Sequence, residues 1–325
     1  MIYRFSCADG CRLDGLLRAL LPEAAGEIAM SNAKIRRLVI AGAVRVDGAV
    51  CRRPAYRLGA GSRVSVSYER EKFFYERQPD DIPFEMTAER VLYEDDAVIV
   101  VDKPPFFPTE TTVVGSGRRD SLHQAVVRWL WRQNPSLPNP PYAGIMHRLD
   151  RETSGAILFT KRRTANAAVH RMFAERLAEK SYRAVAVCSS RGAEPPPARF
   201  SVKDCVGRIS PKSVAAKWGA LSEQRGGLPA HTDFAVLGRS SVCGNLVFYM
   251  EARPRTGRTH QIRVHLSGAG LPILGDTLYG APEFERMMLH AHRLDFPHPD
   301  SGERISVSAP LPEPFVRLFP PEGAR

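Results

Sequence analysis

The sequence predicts an α+β protein in two parts: a small N-terminal α+β module, then a larger domain of mixed, mainly antiparallel strands with flanking helices and loops. Three observations carry this. Leu13, Leu16, Leu17, Leu20 and Leu21 fall at the spacing of one helix face. Val98-Ile99-Val100-Val101 is an unbroken β-branched run, the pattern of a strand buried on both faces. From residue 189 to 245, short strand-like runs alternate with clusters of Gly, Pro and Ser. A chain of 325 residues exceeds one average domain and suits one large domain with a smaller one.

The leucine helix is predicted over residues 11–21, with Pro22 ending it. A second helix is predicted from Asn32 to Ala41, with Ser31 as N-cap and Gly42 in the usual position of a C-terminal glycine. Its polar face carries Lys34, Arg36 and Arg37, while Ile35, Leu38 and Val39 face inward. Asp47-Gly48, between the short runs of residues 43–50, signals a hairpin turn. Val64, Val66 and Tyr68 alternate with Arg63, Ser65 and Ser67, as in a half-buried strand. These elements define a first domain over 1–70. The chain then turns polar, with Glu69, Glu71, Asp80, Asp81 and Pro83, which predicts a linker over 71–90.

The larger domain is expected over 91–325. Its first buried strand should stop at Asp102-Lys103-Pro104-Pro105. Leu122, Ala125, Val126, Trp129 and Leu130 have helical spacing, and Ala156-Ile157-Leu158-Phe159 predicts a second buried strand. Thr164 is expected to cap a helix that turns Val169, Met172, Phe173 and Leu177 inward. Val185 and Val187 begin a further strand, and Pro195-Pro196-Pro197 marks a surface loop.

The formal net charge of +11 suggests a polyanionic partner, without telling RNA from DNA or a membrane surface. Six scattered cysteines form no Cys-x-x-Cys pair, which suggests reduced thiols and a cytoplasmic protein. Cys7 and Cys11 could begin a metal site, but no second close pair follows, and no metal is expected. No long apolar run predicts a signal peptide or a membrane span.

Three stretches could carry chemistry. Residues 144–155 are dense in functional groups and precede a buried strand; Asp150 stands there between Arg148 and Arg151, whose guanidinium groups favour a charged carboxylate. A structural Asp in a turn is the plainer reading of such a loop. Residues 255–266 put Gln261, Arg263 and His265 on one face if they form a strand, and group His260, Arg263 and Val264 if they form a helix; periodicity leaves both open. A basic element that binds phosphate without specificity is the plainer reading here. In Lys180-Ser181-Tyr182-Arg183-Ala184, Tyr182 could stack on a base or move a proton, where core packing is the commoner role.

Together these stretches resemble the RluA family of pseudouridine synthases. The resemblance rests on His147-Arg148-Leu149-Asp150 with Thr153-Ser154-Gly155, on Lys180-x-Tyr182, and on Thr256-Gly257-Arg258-Thr259-His260-Gln261-Ile262-Arg263-Val264-His265. Tyr93 to Asp96, Asp102-Lys103-Pro104 and Leu289-His290-Ala291 also look like family segments. Arg12-Leu13-Asp14, Leu16-Leu17 and the run from Lys34 to Leu38 and on to Val46-Asp47-Gly48 resemble the S-four RNA-binding domain. Phe106-Phe107-Pro108-Thr109-Glu110 and Arg151-Glu152 depart from the commonest family wording.

The resemblance implies the pseudouridine synthase fold over about residues 90–315 and an isomerase that turns specific uridines of RNA into pseudouridine without metal or cofactor. It implies Asp150 as nucleophile, Arg263 as its partner in a bidentate pair, and Tyr182 as the third catalytic residue. Arg148, Lys34, Arg36, Arg37, Arg258, His260 and Gln261 are the expected RNA contacts. The expected partner is large-subunit ribosomal RNA, with tRNA next, and the expected state is a monomer off the membrane. Two other classes compete. One is a non-catalytic RNA-binding or ribosome-assembly protein. The other is a metal-dependent hydrolase using His147, Asp150, His260, His265 and His290, although no pair of these stands at metal-ligand spacing with a carboxylate on a predicted helix.

Overall fold

A computed structural model describes residues 2–25, 30, 32–68, 82–110, 120–188, 194–210 and 216–320. Ser31, Glu69, Glu71, Asp80 and Asp81 lie outside the described residues, as do the side chains of Lys34 and Arg37. The chain forms two compact units, one centred on residues 2–68 and one on 82–320.

The smaller unit contains β1 (Ile2–Ser6), β2 (Cys11–Arg12), α1 (Leu13–Ala24), α2 (Asn32–Ala41), β3 (Val44–Val46), β4 (Ala49–Val50), β5 (Arg57–Leu58) and β6 (Arg63–Ser67). Its sheet runs β1-β6-β3-β4, and β2 pairs β5. Leu13, Leu17 and Leu21 are fully buried in α1, whereas Leu20 is exposed, so the buried stripe is narrower than the leucine pattern. Helix α1 continues past Pro22 to Ala24. The missing proline N–H falls in the last turn, where losing one bond does not end a helix whose Leu21 is buried. Between β3 and β4, Asp47 and Gly48 both have positive φ (49° and 85°), as a two-residue hairpin turn requires.

The larger unit contains β7 (Val91–Glu94), β8 (Val98–Lys103), α3 (Leu122–Gln133), β9 (Gly144–Ile145), β10 (Ser154–Thr160), α4 (Asn166–Ala174), β11 (Glu179–Val187), β12 (Arg199–Arg208), β13 (Trp218–Ala220), β14 (Leu228–Val242), β15 (Asn245–Pro254), α5 (Gln261–Gly268), β16 (Leu289–Pro297), β17 (Arg304–Ser308) and α6 (Glu313–Leu318). One sheet runs β13-β12-β14-β15-β11-β16-β10-β8-β7, with β17 on β16 and β9 on β10. Among the described pairings only β10–β16 is parallel. Apolar side chains pack on the sheet in several clusters, among them Ile99, Val101, Ile157 and Phe159 with Leu122 and Val126 of α3.

Five expectations change here. Among the described residues of 189–245, two strands are long: β12 has 10 residues and β14 has 15. Strand β8 does not stop at Asp102 but includes Asp102 and Lys103, both buried. Thr164 lies inside a short 3-10 turn, Arg163–Ala165, and Ala165 precedes α4 without a side-chain cap. Leu177 lies beyond that helix and is exposed. Within the stretch read as linker, Met86 is buried among the apolar side chains around α3, and Ala88–Arg90 form a 3-10 turn.

Candidate active site

Residues 146–153 connect β9 to β10, and their backbone is held from below. The hydroxyl of Thr109 donates to the carbonyl of Leu149 (2.8 Å), and the Thr153 N–H donates to the Asp150 carbonyl (3.1 Å). Lys103, fully buried at the end of β8, donates to the carbonyls of Pro104 (2.9 Å), Arg151 (2.9 Å) and Thr153 (2.7 Å). Burial pushes this amine down to about 7, against the charges of Glu152 and Asp150. Three acceptors take one N–H each, a set that only the ammonium can complete. The loop is therefore fixed at its backbone, while the Asp150 side chain keeps 23% exposure.

The segment that periodicity left open is a helix. In α5 every residue from Gln261 to Leu266 is buried, so neither period marks an outer face. His260 precedes it in the left-handed region (φ 56°). A non-glycine residue held there is a strain often stored at functional sites.

Arg263, 4% exposed, approaches Asp150 from this helix: Nη1 lies 3.2 Å from Oδ2, a single contact. The expected bidentate pair with Asp150 is not formed. The bidentate partner is Asp276, with Nε–Oδ2 at 2.7 Å and Nη2–Oδ1 at 2.9 Å. A planar guanidinium can serve both carboxylates because its donors point in different directions. Burial opposes the charge on Arg263, but Asp276 and Asp150 hold it well above its ordinary value. The Tyr279 ring lies 5.1 Å from the guanidinium carbon.

His260 Nε2 stands 3.8 Å from Asp150 Oδ2. Its Nδ1 lies 2.9 Å from the Tyr279 hydroxyl oxygen, which accepts the Trp218 N–H. That geometry lets the hydroxyl donate to Nδ1 and leaves the ring proton on Nε2, towards Asp150. Burial lowers the His260 pKa, with Asp150 opposing. Tyr182 is half-buried on β11, opposite Ala252 of β15. Burial, and then the charge of Asp150, push its phenol upward.

Each arginine neighbour of Asp150 in sequence has a glutamate beside it. Arg148 is exposed and 3.8 Å from Glu110, and Arg151 pairs with Glu152 at 3.0 Å. Arg258 is half-exposed and donates to the Pro229 carbonyl (3.0 Å). Gln261, expected at the RNA surface, turns inward: its oxygen accepts from Thr256 Oγ1 and the Arg258 N–H, and its nitrogen donates to the His231 carbonyl and Thr232 Oγ1. At 4% exposure it braces the 255–260 loop. Arg36 is exposed, 3.9 Å from the Asp14 carboxylate within the smaller unit.

The histidines offered as metal ligands do not converge. The Leu158 N–H donates to His147 Nε2 (3.0 Å), His265 Nδ1 faces Thr232, and His290 Nδ1 faces Ser154. Of the four, His260 alone is paired with Asp150. Sequence reasoning missed Asp276 and Tyr279, whose run Gly275-Asp276-Thr277-Leu278-Tyr279 reads locally as a turn, and it noted Lys103 only as ending a strand and as part of a family-like segment, with no role in the site. The usable signal was indirect: a buried arginine needs more negative charge than one half-exposed carboxylate supplies.

Comparisons with known proteins bear on this arrangement. Residues 97–268 match the family model of RNA pseudouridylate synthase, and residues 28–64 match that of the S4 domain. A ribosomal large subunit pseudouridine synthase D of Xanthomonas campestris is 33% identical over 96% of this chain and 89% of that protein. The protein of that name from Neisseria meningitidis is 32% identical over 95% of this chain and 78% of its own length. Among solved structures, human RNA pseudouridylate synthase domain containing 1 aligns with a TM-score of 0.54 at 28% identity, covering 70% of this chain and 87% of that one.

Proposed function

The chain belongs to the RNA pseudouridylate synthase family, and from that premise we propose that it isomerises uridines of large-subunit ribosomal RNA with Asp150 as nucleophile. One observation carries the assignment of Asp150. A partly exposed carboxylate meets a buried guanidinium contributed from 113 residues away, on a backbone held by a buried lysine.

The reaction conserves atoms. The bond between ribose and the uracil nitrogen breaks, the base turns over, and a ring carbon bonds the sugar in its place; that carbon then loses its proton. A stacked base has no room to rotate, so the uridine must first leave the helix, at a cost of a few kcal/mol. Arg148, the exposed arginine of the loop, is assigned to holding phosphate or filling the vacated space; its exposure supports this. Asp150 makes the covalent or proton-transfer contact with the nucleotide, and Arg263 fixes the carboxylate through one N–H. Tyr182 is assigned to stacking on the uracil, because a phenol pushed upward is a poor resting base. His260 stands 3.8 Å from Asp150, and Arg258, two residues before it, is assigned to phosphate contact. In the N-terminal module Lys34, Arg36 and Arg37 supply phosphate contacts and a salt-dependent share of affinity. We take 1–70 as the RNA-binding module, 71–90 as the connection with Met86 anchored on the larger unit, and 91–325 as the catalytic part. The enzyme works as a monomer in the cytoplasm.

The test is pseudouridine mapping on an unmodified large-subunit rRNA transcript with wild type and Asp150→Asn. The wild type should convert at least one uridine. The isosteric variant should lose on the order of a thousandfold or more in rate while keeping its Tm and RNA affinity. Wild-type rates from Asp150→Asn would remove Asp150 as nucleophile. Conversion of tRNA but not of the transcript would remove the ribosomal substrate.

A further inference from the structure

Phe106 has the left-handed conformation (φ 58°). Bulky side chains rarely adopt it. Asp47 and Cys243, two other non-glycine residues with positive φ, each open a two-residue hairpin turn with a glycine next, which accounts for them. Phe106 follows Pro105 in a turn with no glycine next, and a positive φ at that place is usually given to Gly or Asn, so the turn alone does not call for Phe. Core packing does not account for Phe106 either. Phe107 is the buried member, 2% exposed with its ring 5.1 Å from that of Phe84, while Phe106 stays half-exposed.

The surroundings place that ring beside the catalytic loop. On one side of it in sequence, the Pro104 carbonyl shares Lys103 Nζ with the Arg151 carbonyl. On the other, Thr109 Oγ1 donates to the Leu149 carbonyl. Residues 104–109 are thus tied to 149–151 at both ends, with Asp150 in the middle of the second segment. The guanidinium carbon of Arg151 lies 5.7 Å from the centroid of the Phe106 ring. A strained aromatic, kept at the surface and set against a cation next to the nucleophile, has the composition of a base-stacking platform.

We propose that Phe106, backed by Arg151, stacks on a nucleobase flanking the extruded uridine and so strengthens the hold on the RNA while Asp150 acts. This rests on the reading of the Asp150 loop as an RNA-modifying site. Extrusion of one nucleotide leaves its neighbours with an unstacked face, and an aromatic ring replaces the missing stack for any base.

The probe is the unmodified large-subunit rRNA transcript, bound by wild type, Phe106→Gly and Phe106→Tyr across a salt series. Glycine tolerates positive φ, so Phe106→Gly should melt at or above the wild-type temperature. It should nonetheless bind about tenfold more weakly, with an unchanged salt slope, because a lost stack releases no counterions. Phe106→Tyr should bind like wild type, and KM should move with affinity while kcat stays within about twofold. Unchanged affinity in Phe106→Gly, a changed salt slope, or a lower Tm with kcat and KM falling together would overturn the proposal. A wild type that binds the transcript without converting it sinks the ribosomal reading and leaves Phe106 to be judged on affinity alone. A wild type that does neither removes both.

Discussion

Arg263 divides its hydrogen bonds between two carboxylates, with Glu152 3.9 Å away, and the division decides what each substitution does. Two of its nitrogens are committed to buried Asp276, and the third reaches Asp150. Lysine carries the same charge on a single nitrogen and cannot span both partners. Arg263→Lys is therefore expected to lower kcat by about a hundredfold or more and to cost about 3 kcal/mol of stability, since it leaves a buried carboxylate short of its donors. Asp276→Asn keeps the shape and removes one charge; its expected loss is nearer tenfold in kcat with KM unchanged, as suits a group that acts only through Arg263. Single-turnover rates with urea denaturation of both variants provide the check, and equal losses would contradict the division. Asp150 and Arg263 were legible in the sequence because each stands in a motif dense with functional groups. Asp276 was not, because its pairing is made in space and nothing within a few residues of it records a buried arginine thirteen positions earlier.

At the scale of elements, legibility followed a polarity pattern repeated along the element. Strands β8 and β10 were readable from unbroken apolar runs, and α1, α3 and α4 from helical spacing, because each repeats one pattern over several turns or residues. Helix α5 was not readable: with both its polar and apolar residues buried, its polarity follows hydrogen-bond partners such as Thr232 and Asp276 and no longer reports a solvent face. The parallel junction of β10 and β16 was equally hidden, and it rests on Gly155, opposite Ala291 with φ 112°. A Cβ there would lie 2.2 Å from the Ala291 carbonyl oxygen and 2.7 Å from its nitrogen, both backbone atoms that cannot turn aside. Gly155→Ala should therefore cost about 3 kcal/mol or more and displace the adjacent catalytic loop. Gly48 in the β3–β4 turn has a similar positive φ (85°) with nothing within 4 Å of an added Cβ. Gly48→Ala should cost only about 1 kcal/mol, the conformational part alone. Urea midpoints with unchanged m-values would measure the two, and a Gly155→Ala cost no larger than that of Gly48→Ala would show that strand proximity is not the constraint.

For the whole molecule the buried histidines set a limit on acid. His265 and His290 are 2% and 0% exposed in the larger unit, and burial lowers their pKa values to about 4 and about 3. Burial also lowers His147 well below the usual imidazole value, where its Nε2 must stay bare to accept the Leu158 N–H. Each folded pKa is thus depressed relative to the unfolded chain. At neutral pH both states hold these rings neutral and nothing is lost. Between the usual imidazole value and about pH 4, the unfolded chain takes up protons that the folded chain refuses, so stability falls as pH falls. These three protons alone give a slope of about 4 kcal/mol per pH unit; His260 and His292, also lowered by burial, steepen it, and Asp102, whose carboxyl burial raises, offsets at most one proton. Asp233, lowered to about 2 by Ser201 and Arg255, adds its own loss only at lower pH, where free carboxylates titrate. A protein stable by roughly 10 kcal/mol would lose most of that before pH 4. Urea midpoints at pH 7, 6 and 5 should drop steeply, and His265→Asn, which keeps a polar group facing Thr232, should flatten the drop by one proton's share, at most about 1.4 kcal/mol per pH unit. A midpoint constant from pH 7 to 5, or a slope unaltered in His265→Asn, would mean that these rings are protonated in the fold and that another group governs its acid response.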